Sequence, residues 1–196
     1  SDGIKQLNPG SLSNMTSGGT SASLSSMTSG NSFQRMLDDQ QLLEEQYDLV
    51  AGTWPTKYDE CILVLNQSGQ ISDYTLYSIG VLDPDELKDL LTKAFTSKEI
   101  DIPNTKVDFT KQDALNLSFK VVNKCDMYTP ASSGDTWVDR TDDTDYMKQL
   151  IANGIDLKIV GIIKQNSTAS ASSLSEGIGY RNDLILQLIA QAEHSS

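Results

Sequence analysis

The chain has 196 residues, 27 acidic and 15 basic, for a formal net charge of -12. That length suits one domain with a hydrophobic core and loose ends, not two large domains, and so acidic a surface repels phosphate backbones and anionic headgroups, which argues against nucleic-acid and direct membrane-surface binding. The longest apolar stretches, such as Leu157 to Ile163, fall far short of the roughly 20 residues that cross a bilayer.

Ser1 is not preceded by a Met, a basic n-region or an apolar h-region, so the chain reads as a segment excised from a longer gene product. Residues 10–32 are mostly Ser, Thr and Gly with no helical or strand period, a linker-like composition, and residues 1–32 are expected to form a flexible arm. From residue 33 to 196 a single α+β domain is expected. Phe33, Met36, Leu37, Leu43 and Tyr47 recur at roughly helical spacing with Ser32 as a suitable N-cap. Ala51 to Pro55 reads as a turn, and Cys61 to Leu65 as an interior strand closed by a turn over Asn66 to Gln70. Ser72 or Asp73 caps a short helix through Ile79, with Gly80 suited to the left-handed conformation that ends helices. Asp83, Pro84 and Glu86 begin another, with Leu87, Leu90, Leu91, Ala94 and Phe95 as its buried stripe.

Beyond Pro103 the pattern turns to strands. Leu115, Leu117, Phe119 and Val121 alternate with polar residues, and short strands are expected around Tyr128 and Thr136 to Val138, separated by a turn from Pro130 to Gly134. A helix from Asp143 to Ala152 ends at Asn153-Gly154, Leu157 to Ile163 forms another interior strand, and after a second Ser-rich stretch Leu184, Leu186, Leu188 and Ile189 mark a last helix that frays at His194. This irregular order favours an α+β fold, a mixed or antiparallel sheet with helices packed on it, over a doubly wound parallel sheet.

Little in the chain points to catalysis. The only histidine is His194, three residues from the end, so Ser/His/Asp and Cys/His mechanisms lack an ordered base, and no catalytic residue or cofactor is expected. Cys61 and Cys125 could form one disulfide, but each sits in a context where a free thiol is ordinary, and no CxxC or His/Cys cluster suggests zinc. Asp139, Asp142, Asp143 and Asp145 could offer oxygen ligands to calcium, yet the glycine and distal glutamate of an EF-hand loop are missing, and acids at a helix start have a simpler reason to be there. Gly177-Ile178-Gly179 lacks the third glycine of a dinucleotide loop, Asn182 standing in its place, and reads as a loop feeding the last helix. The N-x-[ST] triplets at Asn14, Asn66, Asn116 and Asn166 matter only in a eukaryotic secretory setting.

The stretch Tyr47-Asp48-Leu49-Val50-Ala51-Gly52-Thr53-Trp54-Pro55, then Asp59-Glu60 and an apolar strand, resembles the extracellular part of bacterial ABC-transporter permeases of the macrolide-exporter and FtsX-like type. The order continues to match through Ile71 to Gly80 and the closing strand Lys158 to Ile163, and Trp137-Val138-Asp139 with its acidic helix start is similar to that of large permeases of Gram-positive bacteria. The match covers about residues 46–181, with Thr53 standing where the family often has a basic residue. The resemblance implies a non-catalytic domain on the extracellular face of the bacterial membrane, part of an integral membrane protein. Its partners would be the transmembrane helices of its own chain and a cytoplasmic ATPase, and it would relay motion to a peptide, lipoprotein or drug substrate or to a wall enzyme. Gly52, Trp54, Pro55 and Gly161 would serve as turn and packing residues, and no binding residue is assigned. Without a GxxxxGK[ST] loop the chain itself should not bind ATP. The alternative is a free-standing secreted or lipid-anchored binding module tethered by the serine-rich arm.

Overall fold

The computed structural model describes Leu7, residues 32–83, Glu86, and residues 109–132, 134, 136–169 and 171–194. The first strand, β1 (Phe33–Arg35), is followed by helix α1 (Gln40–Gln46), strands β2 (Tyr47–Gly52) and β3 (Glu60–Leu65), and helix α2 (Asp73–Ser78). After residue 108 come α3 (Lys111–Leu115), β4 (Ser118–Val121), a 3-10 turn over Cys125–Met127, the hairpin β5 (Tyr128–Pro130) and β6 (Trp137–Asp139), α4 (Thr144–Ala152), β7 (Ile155–Gln165), β8 (Gly177–Tyr180) and α5 (Asn182–His194). The fold is α+β, and its main sheet is mixed. Its strands run β1-β8-β3-β7-β2, with β4 also on β7, and the β1/β8 and β3/β7 pairs are parallel while the other pairs are antiparallel.

The two expected interior strands hold the centre. In β3, Cys61 and Leu63 point to one face and Ile62 and Val64 to the other, all four buried, as the period-2 geometry of a strand flanked on both sides requires. In β7 the alternation is interrupted. Its register against β3 shifts between Cys61 and Ile62, so Leu157, Ile159 and Ile162 join one core cluster while Ile163 joins the other. Ala114 of α3 and Leu184 of α5 complete the first cluster, and Leu43 of α1 with Leu174 covers the second. Phe33 and Phe119 come from strands four steps apart, about 19 Å in a flat sheet, yet their rings meet edge to face at 5.2 Å. The sheet therefore curls around the first cluster. Leu7 also packs there, its side chain lying beside Gly80.

Several local expectations hold. Ser72 caps α2, Gly80 follows it at φ 76°, Asn66 and Gln70 close the turn after β3, and the helix expected from Asp143 begins there, with Asp143 as its N-cap. The helix expected from Pro84 through the stripe Leu87 to Phe95 falls almost wholly outside the described residues, as does most of the Ser-rich arm.

Three expectations are corrected. The helical reading of residues 33–47 fails at both ends, because Phe33 to Arg35 pairs with Ile178 to Tyr180 and Tyr47 opens β2. Ser32 caps nothing; its buried carbonyl accepts the Ile178 N–H at 2.6 Å, while the cap of α1 is Asp39, whose carboxylate accepts the Leu42 N–H at 3.1 Å. Gly177-Ile178-Gly179 is a strand within the sheet and not a loop. Gly177 is glycine because its φ is 139° and a Cβ would stand 2.5 Å from the Ser32 oxygen, so the close approach of β1 selects it. Finally, Leu115 belongs to a helix and not to the following strand, because Thr110 and Asp113 form a reciprocal capping box ahead of it.

Candidate functional site

The segments on which the resemblance rests meet at one place. Strands β2 and β3 run antiparallel with β7 inserted between them, so the connection of residues 53–59 must cross β7. It crosses in contact at Gly161. The Thr53 N–H donates to the Val160 carbonyl at 2.9 Å, and a Cβ on Gly161 would lie 2.1 Å from the Thr53 oxygen. Gly52 makes a matching close approach, since its φ is 73° and a Cβ there would lie 2.1 Å from the Val160 oxygen. Pro55 is fully buried and Trp54 packs on the second core cluster, so both are packing residues, while Thr53 is exposed.

Glu60 holds the far side of the crossing. One of its carboxylate oxygens accepts the Thr56 N–H at 2.7 Å, the Lys57 N–H at 3.0 Å and the Thr56 hydroxyl at 3.2 Å. Above all the Thr56 N–H, with the Lys57 N–H and the Thr56 hydroxyl adding and burial opposing, holds this carboxyl below its usual range. Arg181, between β8 and α5, donates to the Pro55 carbonyl at 3.2 Å and pairs with Asp183 at 2.6 Å, which ties the crossing to the last helix. Because the folded pKa of Glu60 is depressed, its stabilisation is present above the unfolded value and is lost as pH falls through the folded one. We expect the urea midpoint to drop on acidification below roughly pH 4, and the Glu60→Gln variant to start lower at neutral pH and lose less over that window.

The second Ser-rich stretch is stitched down. Ser173 N–H donates to Gln46, Ser175 exchanges two hydrogen bonds with Gln34, and Glu176 accepts from both the N–H and the hydroxyl of Ser72 at 2.6 and 2.7 Å. Between them the buried Tyr47 hydroxyl donates to the Leu174 carbonyl at 3.0 Å and accepts its N–H at 2.6 Å. Composition alone hides this, because each partner lies more than 100 positions away. Replacing Tyr47 by Phe leaves a buried N–H and C=O unpaired and is expected to lower stability by about 1–3 kcal/mol, read from chemical denaturation.

The remaining candidates fall elsewhere. Asp143 accepts the Tyr146 N–H and pairs with Arg140, and Asp139 accepts from the N–H and hydroxyl of Thr141, hydrogen bonds that hold both carboxyls below their usual range; Asp142 and Asp145 are exposed. The acids thus cap a helix and close a turn. Among the described residues no group of three His, Cys, Asp or Glu is placed to hold a metal. Cys61 and Cys125 are unbonded; burial pushes the Cys61 thiol well up, and Cys125 is exposed. Asn66 and Asn166 turn their side chains onto backbone N–H groups two residues on, Asn116 is the C-cap of α3, and Asn14 lies outside the described residues. His194 is the last residue of α5.

A hollow of about 390 Å³ opens between α2, α3 and the sheet, with Leu63, Leu65, Leu76 and Ile162 in its walls and Asp73 and Lys111 at its rim. Its walls come from residues 63 to 162, which no local sequence signal brings together. Among the described residues no helix is long and apolar enough to cross a membrane. Comparison with known protein families, with curated proteins and with solved structures gives no match.

Proposed function

We propose that this chain is the extracytoplasmic domain of an ABC-transporter permease of the macrolide-exporter and FtsX-like type, a non-catalytic module that relays ATPase-driven motion to an exported substrate or an extracellular partner. The observation that carries the reading is the crossing at Gly161. The two stretches that bear the resemblance, Tyr47 to Glu60 and Lys158 to Ile163, lie about a hundred positions apart and yet form one interlocked unit through Gly52, Thr53 and Val160. A shared motif that builds one stiff crossing fits a part that transmits force. Among the described residues the first strand pairs with the last, Phe33 beside Ile178, which also suits a domain inserted between two membrane-spanning segments, since it brings these entry and exit strands together.

The exposed, unbonded Cys125 supplies the test, with buried Cys61 as the internal control. In intact cells producing the parent protein, a membrane-impermeant maleimide is expected to label Cys125 in the membrane fraction, and Cys61 only after denaturation. Labelling that requires lysis, or a labelled product found free in the medium, would contradict the proposal.

A further inference from the structure

We infer that one face of the β5–β6 hairpin is a docking surface for a cationic peptide segment with interleaved apolar residues. The inference rests on the hairpin alone and is independent of the transporter reading. In the antiparallel register Trp137 stands opposite Pro130 and Asp139 opposite Tyr128, so these four side chains share one face, while Val138 and Thr129 lie on the other. Trp137 is 67% exposed, the highest value among the exposed large hydrophobic residues of the described part of the chain. A large aromatic ring left this open on a strand is the kind of residue that dominates interfaces once covered.

The hairpin is held rather than loose. The Arg140 N–H donates to the Met127 carbonyl at 2.9 Å, the Tyr146 hydroxyl donates to the Asp126 carbonyl at 2.6 Å, and the Arg140 guanidinium lies 5.0 Å from the Tyr146 ring centre. The Trp137 face is thus anchored at its base on α4, and binding there would order little backbone.

Charge selects the occupant. From residue 126 to 145 the sequence carries six aspartates and one arginine, a balance of 1 - 6 = -5, and the arginine is already engaged by Asp143. Asp139, Asp142 and Asp145 are exposed, and the nearest lysines in sequence, Lys124 and Lys148, lie outside this stretch. An exposed indole with the Asp139 carboxylate on its own face, followed by the exposed Asp142 and Asp145 in the chain, matches a lysine or arginine side chain twice, through the ring face and through the charge, and matches the apolar neighbours of that cation through Pro130 and Tyr128.

The test is calorimetric titration of the whole chain with a capped peptide of about eight residues alternating lysine with leucine, and with its glutamate counterpart. The lysine peptide should bind saturably and more weakly as salt is raised from about 50 to about 300 mM, and the glutamate peptide should not bind. Trp137→Ala should weaken binding on the order of tenfold or more, the Asp139→Asn/Asp142→Asn/Asp145→Asn variant should weaken it and flatten the salt dependence, and Val138→Ala should bind like the parent chain. Far-ultraviolet circular dichroism checks that each variant is folded. Absence of saturable binding, equal binding of both peptides, unchanged affinity in Trp137→Ala, or a Trp137-dependent dimer in sedimentation without peptide would each overturn the proposal, the last by naming a second copy of the chain as the occupant.

Discussion

Replacing Gly161 by alanine is expected to lower the stability of the domain by about 3 kcal/mol, or to prevent folding altogether. The added Cβ would meet the Thr53 carbonyl oxygen at 2.1 Å and its carbon at 3.0 Å, and these are backbone atoms in a chain fixed by the Thr53 to Val160 hydrogen bond. Neither side can yield without opening the crossing or breaking the central strand. Gly134→Ala is the comparison. Its Cβ would meet nothing within 4 Å, so only the left-handed backbone at φ 77° resists it, for about 1–2 kcal/mol. Urea denaturation of the two variants measures the difference. If Gly161→Ala were as stable as Gly134→Ala, the residue would not be the contact point between connection and strand.

Ile163→Ala is expected to cost about 2–5 kcal/mol in the same measurement. Ile163 is completely buried on the central strand, in register with Val64 on one side and Leu49 on the other, and belongs to the cluster of Leu43, Ile62 and Leu174. Truncating it removes apolar contact from both flanking strands and leaves a cavity that two hydrogen-bonded neighbours cannot collapse into. Leu186→Ala, on the outer face of α5 with its side chain more than half exposed, should change stability by less than about 0.5 kcal/mol. A small loss at Ile163 would mean that the second cluster packs loosely, contrary to the burial of its members.

Both residues lie in a strand that was legible from the sequence, and the reason is physical. Leu157 to Ile163 and Cys61 to Leu65 are continuous apolar runs because each strand is paired on both sides and covered on both faces. The cap at Ser72 and the helix start at Asp143 were legible too, since both are set by neighbours within three residues. Apart from the local capping box at Thr110 and Asp113 and the cap at Asp39, what escaped in the fold depends on distant pairing. Phe33 to Arg35 becomes a strand only because β8 is beside it, and Gly177 to Tyr180 becomes a strand because it pairs with β1 and β3, with Ser32, Met36 and Ile62 leaving no room for side chains on its glycines. The small spacing of Phe33 and Met36 looks helical until that partner is known. At the candidate site, the glycine-containing motifs could be read as turn and packing residues, and the structure places Gly52, Trp54, Pro55 and Gly161 in those positions. The hold of Glu60 on Thr56 and Lys57, the strap across Leu174 and the hollow beside α2 were not legible. Each is assembled from side-chain geometry, and the strap and the hollow join residues about 100 positions apart.

The most direct measurement of the central claim is the sequence of the complete parent open reading frame, with its hydropathy mapped on both sides of residues 1–196. The permease reading predicts apolar segments of roughly 20 residues on both sides and an ATPase fused to the same chain or encoded beside it. A signal peptide upstream with no membrane span afterwards would contradict it, and the chain would then stand as a secreted binding module.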